Sequence, residues 1–219
     1  MIDLETPVKS PLKFALNSTA AVAALIAAPT LVLAQGAPPM PNPDPAAVPA
    51  GVYKVEPNHT RIVWQVSHMG LSEWFGDFAR PTGTATFDPK NPAADKVDLT
   101  IDVATVSTTN ATLDGELKSA DWLDAAKFPT ITFKSTHVTQ TGPGAADVTG
   151  DLTLHGVTKP VTLKVKFRAG GVNMMNKAYT VGFDATSQIK RSDFGVTKGV
   201  PMIGDDVQIT ISAPFEKQP

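Results

Sequence analysis

The chain has 219 residues, 19 Lys and Arg against 21 Asp and Glu, a formal net charge of −2 and no cysteine. The missing cysteines exclude disulfides, thiolate metal sites and thiol catalysis, and basic residues scattered singly argue against a nucleic-acid partner, which needs clustered positive charge. With 42% apolar residues, the length suits one domain with a sizeable core.

Residues 1–34 read as a secretory signal peptide. Lys9 and Lys13 precede the apolar run Ala20 to Ala28, and Val32 and Ala34 are the small residues before the expected cut. A retained membrane anchor is the alternative, but a span needs roughly 20 predominantly apolar residues, and Asn17, Ser18, Thr19 and Pro29 interrupt this one. The reading is therefore an exported, periplasmic protein without stable membrane insertion after cleavage. Residues 35–51 hold Pro38, Pro39, Pro41, Pro43, Pro45 and Pro49, a density that favours extended polyproline II. They read as a disordered linker, with a docking motif as the alternative.

From Val52 to Lys217 the dominant signal is alternation with a period of two. Ile62, Trp64, Val66 and His68 share one face against Arg61, Gln65 and Ser67, which describes a sheet with one dry side. Val97 to Val103, Val161 to Arg168 and Val207 to Ser212 repeat the pattern, and weaker versions occupy Ile131–Ser135, Val148–Leu154 and Tyr179–Ala185. With Thr84–Phe87 and Val52–Val55 these make about eight or nine antiparallel strands, each wet on one side. The fold class is all-β, an antiparallel eight-stranded barrel with one short helical crossover.

That crossover lies between Ser107 and Pro129, where Leu113, Leu117 and Ala120 take helical spacing behind Asn110 as N-cap. Asp121 is a candidate cap for a second short turn, Gly115 weakens a continuous helix, and Pro129 ends the segment. Trp122, Leu123 and Phe128 either add core or belong to a lid over a ligand mouth. The glycines at 70, 76, 83, 142, 144, 156, 170, 171 and 204 fall between strand patterns and read as turn residues.

Chemistry is sparse. His59, His68, His137 and His155 form no metal-ligand spacing. His68 is either a satisfied structural histidine or a ligand contact; His59 should bond locally, and His155 should be exposed in a hairpin. There is no Gly-x-Ser-x-Gly elbow, no phosphate-cradling glycine loop and no paired carboxylate spacing. No catalytic residue, metal or cofactor is assigned. Arg191 and Asp193 close a strand, as an Arg–Asp pair or as a polar mouth for a headgroup.

A series of short motifs runs along the chain: His59-Thr60, Val66-Ser67-His68-Met69-Gly70, Gly76-Asp77-Phe78, Leu117-Lys118-Ser119-Ala120-Asp121-Trp122-Leu123-Asp124, Gly150-Asp151-Leu152-Thr153-Leu154-His155-Gly156 and Arg191-Ser192-Asp193-Phe194-Gly195. In these pieces and their order the chain resembles the YceI-like family of periplasmic polyisoprenoid-binding proteins. The resemblance implies a lipocalin-like barrel holding a polyprenyl or quinone-type tail in its lumen, with the head near the opening.

Candidate tail contacts are Ile62, Trp64, Val66, Phe87, Leu99, Ile101, Phe133, Leu152, Leu163, Phe167, Phe183, Ile189 and Ile209; His68, Arg191 and Asp193 are candidate headgroup contacts. An eight-stranded barrel either fills itself or holds one slender ligand. At roughly 0.8 kcal/mol per CH₂, an isoprene unit gains about 3–4 kcal/mol gross, so a few units offset binding costs on the order of 4–15 kcal/mol. The expected function is non-enzymatic carriage, storage or stress protection involving an isoprenoid lipid or a quinone-like molecule. The rivals are a structural or stress-response barrel with a filled core and a hydrolase or isomerase with a hidden site. Homodimerisation stays open.

Overall fold

The computed structural model describes residues 40–219. The signal peptide expected at 1–34 and the first part of the Pro-rich segment lie outside the described residues. Ten strands follow: β1 (Gly51–Val55), β2 (Arg61–His68), β3 (Ser72–Ala79), β4 (Thr82–Phe87), β5 (Lys96–Asp102), β6 (Thr130–Gly142), β7 (Ala145–Leu154), β8 (Val157–Val172), β9 (Tyr179–Lys190) and β10 (Ile203–Lys217). One helix, α1 (Ala111–Leu117), interrupts them.

Eight strands close the barrel. The antiparallel order β1-β4-β5-β6-β7-β8-β9-β10 returns to β1, which pairs with β4 on one side and β10 on the other. The remaining two strands extend that ring. β2 continues along the edge of β10 that β1 leaves, running from Arg61 opposite Ser212 to His68 opposite Ile203, and β3 pairs with β2. So β1–β2 and β3–β4 behave as bent strands. The first bend is set by Glu56, whose carboxylate accepts from the N–H groups of Asn58 and His59 and from His59 Nδ1 (2.6 Å), the local bond expected of that histidine. The second falls at Arg80, with φ 56°, and buried Pro81.

β3 is the strand that alternation did not reveal. Glycine at its centre and Phe75 on its outer face blur the two-residue period. Its free edge exchanges two backbone hydrogen bonds with Ser107 through Asp77, so above β4 the wall is completed by the crossover. There Asn110 caps α1 as expected, accepting from Thr112 and Leu113 N–H. The segment after α1 continues in turns, and Asp121 pairs with Lys198 at 2.7 Å instead of capping a helix. Buried Leu117 and Trp122 make the crossover part of the core.

The Pro-rich segment corrects an expectation. From residue 42 onward it is docked: Asn42 exchanges backbone hydrogen bonds with Gly170, Pro45–Ala47 forms a 3-10 turn capped by Asp44, and Val48 is buried. Tyr53 explains why this strap holds. Its ring is fully buried and its hydroxyl donates to Pro49 O at 2.6 Å.

The core has two levels. At the base, Tyr53, Phe87, Phe167, Phe183 and Phe215 stack in tilted and edge-to-face pairs with centroids 5.0–6.0 Å apart, a favoured aromatic geometry. Above them, side chains from β2, β3, β5, the crossover and β10 surround a space they do not fill.

An apolar lumen above an aromatic floor

That space is a cavity of about 580 Å³, within the range of small-molecule sites. Every strand face that lines it does so by alternation. β2 supplies Ile62, Trp64, Val66 and His68; β5 supplies Leu99 and Ile101; β6 to β10 add Phe133, Leu152, Leu163, Ile189 and Ile209. Arg191 also lines it. These expected residues are brought together as a wall.

Four expected contacts are elsewhere. Phe87, Phe167 and Phe183 belong to the aromatic floor, packed on Tyr53 and Phe215. They point inward as alternation requires, but at the depth where the barrel closes on itself. Asp193 lies outside, paired with Lys159 at 3.6 Å on an exposed polar groove.

The expected Arg191–Asp193 pair therefore does not form. Residues 191–194 make a 3-10 turn, in which residues two apart point in different directions at three residues per turn. Arg191 turns in and is 6% exposed. Its Nε, Nη1 and Nη2 donate to the carbonyls of Gly204, Val196 and Ile203 at 2.8, 2.9 and 2.8 Å, and its guanidinium lies 5.4 Å from the Trp122 ring centroid. Burial pulls its pKa below the usual arginine value, with Asp205 opposing; an arginine stays charged in such a place. His155, expected at the surface, is half-buried, with Nδ1 3.2 Å from Phe194 O and its ring edge-on to Phe128.

The lumen also takes residues outside the expected tail contacts: Trp74 and Phe78 from β3, and from the crossover Leu113 together with Trp122 and Leu123, which the sequence marked as core or lid. The latter three carried a signal, as large apolar groups in a segment that had to pack on something. Trp74 did not, because its strand was hidden. Gly76, expected in a turn, is buried mid-strand opposite Trp64, and a Cβ there would overlap the indole. The bare backbone lets Trp64 lie flat against the wall.

Polarity inside the wall is low. Trp122 Nε1 donates to Glu116 at 3.1 Å, whereas among the described residues the buried indole N–H groups of Trp64 and Trp74 have no partner. His68 sits 6.0 Å from the Trp74 ring. Among the described residues no group of three or more His, Asp or Glu side chains converges to hold a metal, and no helix is long and apolar enough to cross a membrane. The arrangement can exclude water from an apolar chain.

A family model for the YceI-like domain matches residues 53–215. Protein YceI of Salmonella arizonae is 42% identical over 171 residues, covering 77% of this chain and 88% of that protein. The crystal structure of BcnA from Burkholderia cenocepacia superposes with a TM-score of 0.64 at 28% identity, covering 71% of this chain and 95% of that one. A polyisoprenoid binding domain from Saccharophagus degradans shares the fold, with a TM-score of 0.59 at 14% identity over 76% of this chain and 98% of its own. A match that runs from the first barrel strand to the last places this chain in the YceI-like family.

Proposed function

We propose that this barrel binds an isoprenoid chain, polyprenyl or quinone-type, in its lumen, and serves in the periplasm as a non-enzymatic carrier or store. The observation that carries the reading is the unfilled apolar cavity above the aromatic floor. A core that merely stabilises the fold gains by closing such a space, since unfilled volume costs roughly 24 cal/mol per Å³ in packed interiors. The YceI-like relationship and the described ligand class of the Saccharophagus domain support the same class of cargo. A filled structural barrel fits the floor alone.

The test uses the tryptophans. All three in the chain, Trp64, Trp74 and Trp122, line the lumen, so intrinsic emission should shift and saturate on titration with geranylgeraniol. Native mass spectrometry of gently purified protein should reveal a bound isoprenoid. Unchanged emission together with lipid-free protein would defeat the proposal. Export is read separately, by the N-terminal sequence of protein recovered from the periplasm, with a start near Gln35 expected.

A further inference from the structure

At the end of the barrel opposite the aromatic floor, two loops carry large apolar side chains into solvent. The β2–β3 hairpin presents Met69 and Leu71 at its tip and Phe75 on its outer face, and the connection into β10 presents Val200 and Met202. Leu71 is 85% and Met202 61% exposed, which no packing requirement explains. The two loops form one surface, because Met69 N–H donates to Met202 O at 2.6 Å and His68 pairs with Ile203. Directly beneath, His68, Trp74 and Ile203 line the lumen. The greasy rim is thus continuous, residue by residue, with the greasy interior.

Charge and size identify what covers it. Between Met69 and Phe75 and between Thr197 and Ile203 the charged side chains are Glu73 and Lys198, and Lys198 is paired with Asp121 at 2.7 Å. A nearly neutral rim offers little to a charged partner. Five partly exposed side chains on protruding loops also fall short of the roughly 800 Å² per partner of a stable protein–protein contact. Protruding apolar tips without strong charge match the interior of a lipid bilayer.

We propose that the Met69–Phe75 hairpin and the Val200–Met202 loop form a membrane-docking rim, through which an isoprenoid passes between a bilayer and the lumen without crossing open water. This rests on the isoprenoid-binding reading above. The rim supplies the step that reading lacks, since a chain apolar enough to be held in the lumen is poorly soluble outside it.

The absence of cysteine makes the test site-specific. In the full chain, Leu71→Cys and, in the polar β4–β5 loop beside the aromatic floor, Asn91→Cys each create a single thiol for an environment-sensitive bimane label; Asn91 is exposed. On adding phosphatidylcholine vesicles, the label at 71 should shift to the blue and the label at 91 should not. The double variant Leu71→Asp/Met202→Asp should slow transfer of geranylgeraniol from those vesicles by about tenfold or more, because charged tips leave the interface. Its affinity for geranylgeraniol without vesicles, read by tryptophan emission, should match wild type, which also reports an intact fold. A water-like label at 71, or transfer at the wild-type rate in the double variant, overturns the rim. So does a wild-type dimer that the double variant dissolves, since the surface would then be a self-contact. If the label at 71 enters vesicles while vesicle-free binding is absent in wild type, the rim stands and the isoprenoid reading falls.

Discussion

A methyl group at position 76 would overlap the Trp64 indole that lies across the β3 backbone, so the lumen's shape depends on an atom that is not there. Gly76→Ala should destabilise the fold by about 1–3 kcal/mol, the range for overpacking a tight site. Denaturant unfolding measures this, and the altered Trp64 emission should accompany it. Asp95 carries a different kind of cost. Burial, with the Asp88 charge adding to it, raises its pKa to about 6, although Asp88 N–H donates to its carboxylate at 2.7 Å. A folded pKa above the unfolded one favours the protonated form, so this stabilisation is complete below about pH 4 and lost as pH rises through 6. At pH 7 the ionised carboxylate is a burden. Asp95→Asn keeps the acceptor without the charge and should gain about 1–2 kcal/mol at pH 7, discounted for partial solvent screening, and nothing at pH 4. Equal gains at both pH values would sink this account.

At the scale of elements, the turn 191–194 is tied to β10 by Asp205, which accepts from Ser192 N–H and Oγ, and the loop that follows is gathered onto it by the Arg191 guanidinium. Arg191 reaches three carbonyls, on Val196, Ile203 and Gly204, and a lysine ammonium cannot span them in one plane. Arg191→Lys should therefore cost about 2–4 kcal/mol, with amide exchange rising first across residues 196–204. Uniform loss of protection across the barrel would show that the arginine is not a local anchor. The same turn shows where sequence reading stops. Alternation reports which face a residue takes, so Ile62, Trp64, Leu99 and Leu163 were legible as inward residues. It does not report depth along the barrel axis, and so could not separate Leu163 on the lumen wall from Phe167 on the floor. Nor does proximity in sequence imply a pair. Arg191 and Asp193 stand two residues apart, and the turn sends one inward and the other to Lys159. β3 was hidden for a third reason, because the glycine that makes room for Trp64 also removes the apolar residue that would mark the strand.

For the whole molecule, floor and lumen together would set the length of the proposed cargo. Tyr53 and the four phenylalanines close the base beneath the docked Pro-rich strap, so a chain held in the lumen would enter from one end and stop. Allowing each carbon about the roughly 30 Å³ of liquid volume that a water molecule claims, the cavity of about 580 Å³ encloses on the order of twenty carbons, four isoprene units. Affinity should then rise steeply from ten to twenty carbons, since each added CH₂ contributes up to roughly 0.8 kcal/mol. Beyond twenty it should level off, because further units remain near the mouth and in water. A series of prenyl alcohols, titrated against tryptophan emission, measures the break. Its position is also open to design. Ile209→Trp places an indole in unfilled space, so it should spare stability to within about 1 kcal/mol, unlike insertion into a packed core. It should move the break to shorter chains and weaken twenty-carbon binding by about tenfold or more. Affinity that keeps climbing with length in both proteins would mean that the tail lies along the outside of the barrel, and that the lumen is not where it is held.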